Sequence, residues 1–464
     1  MRIRVLGHYP HVAVVALIGA DVACAMAALA STAWIGGLLR GPEMRAGLFL
    51  LAASIFAMTH LLCSLALGVY ASRQRIRLAG MVLRSTLSVG VSALAAYVVS
   101  LLAGLPDRWP AEIFEASVFA LIAVSIVRVG FVRLLDDDDF KRRVLVYGAG
   151  RLASSIQELR RRSDRRGFYL VGYVPAVGER VIVPTDQVIG ADGPLLAICR
   201  LNRVDEMVVA MDDRRRGFPV DELLDTRMAG IDVTEIVTFL ERETGKVRLD
   251  VLNPTWIIFG EGFRRGTFRA VTTRMFDIAS SVLVLLGAWP LMLLAALAIK
   301  LEDGLRAPIF YRQTRVGLFG THFEILKFRS MRIDAEVGGR AAWAVKGDSR
   351  VTLVGALIRK TRIDEIPQIL NVLKGDMSFV GPRPERPQFV EQLSERIAYY
   401  QERHCVRPGI SGWAQLCYPY GSSERDAAEK LQYDLYYVKN QSFFFDLTIL
   451  LQTAEVVLFG KGAR

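Results

Sequence analysis

Long stretches of this chain are apolar on every side, while others alternate apolar and polar residues over a short period. Runs at Val12 to Leu39, Ala46 to Tyr70, Ser85 to Leu105 and Ile113 to Leu135 each approach the roughly 20 residues a helix needs to cross a bilayer. They predict four spanning helices. Glu115 and Arg128 interrupt the fourth run, so both must snorkel or find partners, and Asp21 in the first calls for a hydrogen bond inside the bundle, with a functional intramembrane acid as the alternative. The first run is too long for a cleaved leader, and no small-residue cleavage site ends it. From Lys141 to about Asp250 the strings RRVLVYG, FYLVGYV and VDEMVVA alternate with helical spacing, which predicts a small α/β unit with a parallel sheet. A fifth apolar run, Ile278 to Ile299, contains Pro290, and the last one, Phe443 to Phe459, carries Asp446 and Glu455 and reads as an interfacial helix.

Charge gives these runs an orientation. The 464 residues are 52% hydrophobic yet carry a formal charge of +11, with a mean hydropathy of +0.30, which excludes a disordered chain and suggests a cationic part facing phosphates or anionic headgroups. Arg2 and Arg4 precede the first run, Arg73, Arg75, Arg77 and Arg84 fall at the second loop, and Arg133, Lys141, Arg142 and Arg143 follow the fourth; the other loops hold only Arg40, Arg45 and Arg108. The positive-inside rule therefore puts the N-terminus and everything after Leu135 in the cytoplasm. Arg264, Arg265, Arg269 and Arg274 precede the fifth run, and Lys300, Arg306, Arg312 and Arg315 follow it. A full crossing would strand one basic cluster outside, so a helix that enters, breaks at Trp289 and Pro290 and returns to the same face fits better; an ordinary kinked span is the alternative. Five cysteines without a CxxC pair or a His/Cys cluster offer neither a disulfide framework nor a zinc site.

In the middle segment, Gly148, Gly150 and Ala153 form a GxGxxA turn after a strand, the pattern of a dinucleotide fingerprint. The third glycine is missing, and the next strand is followed by Pro175 rather than an acid for a ribose. That favours a structural or regulatory domain without NAD over a nucleotide sensor.

The candidate chemistry lies after Met275. Lys327 and Arg329 alternate with Leu326 and Phe328, so a strand would aim both cations at one face as a diphosphate clamp; a solvated basic strand would be the better reading if this were the only such cluster. Asp364 and Glu365 stand just before Pro367, a residue suited to a helix first turn, where carboxylates often serve only as dipole partners. Here they are bracketed by Arg359, Lys360, Arg362 and Arg383, which would keep them ionised and able to act as nucleophile or Mg²⁺ ligand. In GPRPE two prolines fix the backbone around Arg383, whose guanidinium is suited to gripping phosphate. Tyr433, Tyr436 and Tyr437 read as packing rather than sugar stacking.

The strings YRQTRVG, KFRSM, the DE pair followed by PQ, GDMSFVGPRPE and PGISGWAQ resemble the bacterial sugar transferases, the polyprenyl-phosphate hexose-1-phosphate transferases, from about Thr272 onward. The larger members also carry four spans and a Rossmann-like domain upstream. The resemblance implies transfer of a sugar-1-phosphate from a UDP-sugar, usually UDP-glucose or UDP-galactose, to undecaprenyl phosphate with release of UMP, as the initiating step of an exopolysaccharide or related glycan. It implies Asp364 as nucleophile forming a covalent phosphosugar intermediate, Glu365 as its acidic partner, and Mg²⁺ at both. It further implies phosphate or substrate contacts at Lys327, Arg329, Arg383, Arg312, Arg362 and Arg407, and strengthens the re-entrant reading of Trp289 and Pro290, although smaller members commonly have a small residue before that proline. A bacterial inner-membrane enzyme with its catalytic part on the cytoplasmic face and no nucleic-acid partner follows, with a homodimer as the plausible assembly.

The expected architecture is membrane α plus α/β: a four-helix transmembrane bundle over 1–140, a Rossmann-like cytoplasmic domain over 141–250, a linker over 251–274, and an α/β catalytic domain over 275–464 anchored by a re-entrant helix at 278–299. The rival readings are a membrane-anchored nucleotide-sugar dehydratase and a noncatalytic regulator of polysaccharide assembly. The dehydratase would need a YxxxK pair, and no tyrosine here is followed four residues later by lysine; the regulator leaves the arginine-ringed acid pair unexplained.

Overall fold

A computed structural model describes residues 12–40, 46–66, 78–102, 109–135, 141–159, 167–190, 193–215, 217–252, 266–304, 306–332, 350–419, 421 and 423–459. Arg2, Arg4, Arg45, Arg73, Arg75, Arg77, Arg108, Asp136 to Asp139, Arg264 and Arg265 lie outside the described residues. The chain divides into two compact units, Met1–Thr244 and Gly245–Arg464.

In the first unit the apolar runs form helices α1 (Val12–Arg40), α2 (Ala46–Ala66), α3 (Leu78–Leu102) and α4 (Trp109–Leu135). Each packs against two others, α1 on α2 and α4, and α3 on α2 and α4. Their polarity runs opposite to that of a water-soluble bundle. Small residues such as Ala25, Ala53, Ala96, Ala116 and Ala120 fill the contacts around Leu29 and Phe56, while Met58, Leu62, Leu94, Phe114 and Ile126 point outward, as expected where lipid is the solvent and backbones gain by close approach. The expected partners of Asp21 and Arg128 turn out to be each other: Arg128 donates to Asp21 at 2.6 Å, both fully buried. Ser64 and Ser88 share a hydrogen bond of 2.6 Å between α2 and α3. Arg84, expected in a loop, is instead buried inside α3, because the apolar string Leu78 to Leu83 starts that helix before the arginine. Among the described residues, Glu112–Gly130 and Arg269–Asp303 are long and apolar enough to cross a membrane.

The same unit holds a parallel sheet of β1 (Arg142–Tyr147), β2 (Phe168–Val174), β3 (Glu206–Val209) and β4 (Asp232–Glu235) in the order β2-β1-β3-β4. The central strands are buried, as a parallel sheet covered on both faces requires. Glu206 is fully buried and takes Arg142 at 2.7 Å and Arg242 at 2.6 Å, so the charge on β3 is matched by β1 and by helix Ile236–Thr244.

The first helix of the second unit, Thr267–Asp303, is continuous, so the break expected at Trp289 and Pro290 is not there; a proline removes one backbone hydrogen bond, and the turns on either side keep the helix going. Near its start Arg274 donates to the carbonyls of Val372 and Leu373, and Asp277 accepts from the Ser378 hydroxyl at 2.9 Å and the Phe379 amide at 3.1 Å. Toward its end Ala295 and Ile299 pack with Phe328 and Ile358, and Glu302 accepts from the Leu353 and Val354 amides. Between these anchors Leu283, Leu286, Trp289 and Leu294 are exposed. An antiparallel hairpin of β5 (Phe310–Val316) and β6 (His322–Phe328) and a short parallel pair, β7 (Ser378–Val380) with β8 (Gly409–Ser411), complete the strands. Helix Glu424–Asn440 starts at a reciprocal cap between Ser423 and Asp426. Tyr433 and Tyr437 are buried in it, as packing residues should be, and the Tyr437 hydroxyl donates to Asp446 at 2.8 Å. Asp446, on helix Phe443–Phe459, thus faces the protein core rather than a headgroup layer.

Candidate active site

Asp364 and Glu365 sit on a single 3-10 turn, Ile363–Glu365, that leads through Pro367 into helix Gln368–Lys374. The turn is entered through Arg362, whose φ of 62° is left-handed. A side chain in that region costs about 1 kcal/mol, so the sharp reversal that lifts the acid pair off the preceding helix, Leu353–Lys360, is held by its surroundings. Helix Gln368–Lys374 is tied to β6 by Asn371, which accepts from the Leu326 amide at 3.0 Å and donates to the Glu324 carbonyl at 2.7 Å. That strut sets Lys327 against the turn.

The result is a carboxylate surrounded by cations. Glu365 Oε1 lies 3.0 Å from Lys327 Nζ, 3.4 Å from Arg383 Nη2 and 3.8 Å from Arg362 Nη1. Burial works against its ionisation, but Arg383 and Lys327 outweigh burial and hold its carboxyl down to about 2. Lys327 is lowered too, but by burial, which pushes it below the ordinary lysine value; Glu365 opposes that shift while Arg383 adds repulsion. Asp364 is buried, and burial, reinforced by Glu365, raises its pKa above the usual aspartate value against the pull of Lys327, Arg362 and Arg359. Its Oδ1 is buried without a hydrogen-bond partner. One carboxylate is thus neutralised by fixed cations while its neighbour keeps an uncommitted oxygen.

Adjacent carboxylates with such an oxygen fit a hard divalent cation that takes one or two carboxylates and completes its shell from phosphate and water. Among the described residues no group of three or more His, Cys, Asp or Glu is placed to hold a metal, so a cage built wholly from protein side chains does not arise there.

The remaining candidate residues are dispersed. Arg312 is 69% exposed and pairs with Glu324 at 3.7 Å. The hairpin register sets Tyr311 opposite Lys327 and Arg312 opposite Leu326, which turns Arg312 to the face away from Lys327. Arg407 donates to the Gly375 carbonyl at 3.1 Å. Arg329 follows the end of β6, and its buried Nη1 has no hydrogen-bond partner.

The GPRPE and PGISG strings owe their glycines to a backbone crossing. A Cβ on Gly409 would stand 2.1 Å from the Gly381 nitrogen, and one on Gly381 would stand 2.3 Å from the Arg407 carbonyl oxygen. The contact lets Gly381 donate to Ser411, and Gly409 to Pro382, bringing Arg383 beside the acid pair. Sequence reasoning missed Asn371, for which the available signal was a polar residue at an otherwise apolar helix position.

The GxGxxA turn in the first unit is already filled. Asp212 accepts from the Arg151 and Leu152 amides, each at 2.8 Å, and Glu179 accepts from the Ala149 amide at 2.7 Å and the Asp212 amide at 3.0 Å. A Cβ on Gly150 would lie 2.3 Å from the Asp212 carboxylate. The amides a pyrophosphate would need are therefore donated to the chain's own carboxylates, whose charge repels a second anion. Millimolar NAD⁺ or NADH is expected to leave the thermal midpoint unchanged. Saturation at 100-fold over Kd would add about 2.7 kcal/mol of stability, so a clear upward shift would show that the carboxylates yield to the ligand.

A family model described as "Bacterial sugar transferase" matches residues 268–460. A UDP-glucose:undecaprenyl-phosphate glucose-1-phosphate transferase from Xanthomonas campestris pv. campestris is 30% identical over 377 residues, covering 76% of this chain and 75% of that one. A protein of the same name from Escherichia coli (strain K12) is 32% identical over 364 residues, covering 76% of each. A UDP-N-acetylgalactosamine-undecaprenyl-phosphate N-acetylgalactosaminephosphotransferase from Aeromonas hydrophila is 44% identical over 237 residues, 51% of this chain and 55% of that one, so the match spans about half of each.

Proposed function

The chain belongs to the bacterial sugar transferase family, and on that premise we propose that it moves a hexose-1-phosphate from a UDP-sugar to undecaprenyl phosphate, releasing UMP and initiating an exopolysaccharide or related glycan. The observation that carries this reading is the acid pair set among Lys327, Arg362 and Arg383, all within 4 Å of Glu365. Both substrates bring phosphate charge, and fixed cations are what such a transfer needs.

In this reading Asp364 attacks the sugar-linked phosphorus. The bond from that phosphorus to the bridging oxygen breaks, and its electron pair leaves with UMP. An oxygen of the lipid phosphate then attacks the same phosphorus, and the acyl phosphate bond breaks to return the Asp364 carboxylate. Lys327 and Arg383, already neutralising Glu365, are placed to screen the diphosphate as it approaches. Mg²⁺, when held by Asp364 and Glu365, supplies Lewis-acid screening of the phosphate charge.

The membrane arrangement belongs to the same proposal. Four helices with small and polar interiors and apolar exteriors form a transmembrane bundle, and the sheet with order β2-β1-β3-β4 is a Rossmann-like domain on the cytoplasmic face of the bacterial inner membrane. Helix Thr267–Asp303 is re-entrant. Its support is that Asp277 and Ile299 both dock on the second unit while the apolar middle stays exposed; the helix is unbroken at Pro290, which cannot donate to Leu286 and so is the position where a bend would cost least.

The test is UMP release by the full chain in detergent or nanodiscs with undecaprenyl phosphate, Mg²⁺ and UDP-glucose, UDP-galactose, UDP-N-acetylglucosamine or UDP-N-acetylgalactosamine. Release with one of the hexoses, dependent on the lipid, is expected. Silence across the panel would overturn the assignment.

A further inference from the structure

The segment from Pro382 to Glu385 contains two prolines and so offers few amides to anchor itself. It is held instead by four successive carbonyls. Pro382 accepts from the Gly409 amide at 3.0 Å, Arg383 from Arg403 Nη2 at 3.0 Å, Pro384 from Arg315 Nη1 at 3.0 Å, and Glu385 from the Val316 amide at 3.0 Å. Two of these four donors are backbone groups of neighbouring strands. The other two are guanidinium groups, Arg403 buried and Arg315 partly buried.

Arg403 is the more deeply committed. Its Nη1 donates to the Tyr400 hydroxyl at 2.8 Å, and its Nη2 lies 2.8 Å from Asp434 on helix Glu424–Asn440. Beside it is a cavity of about 20 Å³ lined by Glu385, Leu393, Tyr400, Lys430 and Asp434 among others, so packing around the guanidinium is incomplete on that side and its hydrogen bonds carry more of its orientation. Burying a charge pair is a poor way to gain stability, since a well-packed apolar pair does as well or better. What an apolar pair lacks is a donor aimed at the carbonyl of Arg383.

We propose that Arg403 is a positioning residue for the transfer reaction. By gripping the Arg383 carbonyl from behind, it sets the Arg383 guanidinium against Glu365 and against the diphosphate of the donor. The inference rests on the transferase reading and deepens it by assigning the control of Arg383 to a residue that touches neither substrate. Lysine is no substitute, because a single ammonium cannot span Tyr400, Asp434 and the carbonyl as the planar fork does.

The experiment is a double-mutant cycle on the full chain, read by UMP release at high enzyme concentration. Arg403→Lys is expected to lower kcat/KM roughly 10- to 100-fold, the scale on which small misplacements of a binding group act. In an Arg383→Ala background the same change is expected to cost less than about 2-fold, because the group it positions is gone. Equal fold-losses in both backgrounds would show that Arg403 only supports the fold, and would overturn the proposal. Should Arg403→Lys fail to fold, Tyr400→Phe, which frees Nη1 and loosens the same guanidinium, carries the cycle with a smaller loss and the same pattern. Absence of UMP release by the unmodified chain would instead sink the transferase reading itself.

Discussion

Asp364→Asn is expected to abolish UMP release, with a loss of at least about 10³-fold in kcat, the scale on which removal of a nucleophile acts. The change is nearly isosteric and removes the charge, not the shape. Asp364 is penalised by burial and by its neighbour Glu365, so a neutral amide at this position relieves repulsion, and the thermal midpoint should hold or rise. Loss of turnover without loss of fold is the signature of chemistry at that oxygen. The covalent step adds a second readout. Enzyme mixed with radiolabelled UDP-sugar and no lipid should retain the sugar phosphate on the protein when Asp364 is present and not when it is Asn. Turnover within a few-fold of the unmodified chain would mean that the lipid phosphate attacks the donor directly.

Lys327→Met is expected to lower kcat/KM by about 10²–10³-fold, as removal of one preorganised donor to a developing charge does, and to move the acid limb of the pH profile upward. Lys327 draws the pKa of Asp364 down, so its loss lets that pKa rise further, and the ionised nucleophile appears only at higher pH. Glu365→Gln should move the limb the opposite way, because the charge that raises Asp364 is gone. Stability has its own window. Glu365 titrates at about 2 in the folded chain against 4.5 otherwise, so its contribution is present above about pH 4.5 and fades as pH falls toward 2. Lys327→Met removes one of its partners and should cost about 2 kcal/mol in the plateau above that window. A pH–rate profile and a denaturant titration separate the effects; an acid limb that does not move in either variant would detach Asp364 from the rate.

The long apolar runs are legible as helices because each declares itself over a single local window. Arg84 is the exception: a charge at the edge of an apolar run reads as a loop residue, whereas α3 begins at Leu78 and buries it. Asp364 and Glu365 were legible because their arginines are near in sequence as well as in space. Lys327 followed from strand alternation, but Arg312 did not, since which face it takes depends on the register of β5 against β6, and that is fixed by the turn between them. Arg403 and Asp434 carried no signal at all: a guanidinium that supports a proline loop is visible only when three segments meet. Asp212 and Glu179 escaped for the same reason, lying 62 and 29 positions beyond the Gly150 turn they fill.

Those two carboxylates have a thermodynamic consequence. Because Asp212 and Glu179 already hold the amides of the turn, a dinucleotide would have to displace both carboxylates before it gained a hydrogen bond there, and only the surplus over that exchange could stabilise the domain by mass action.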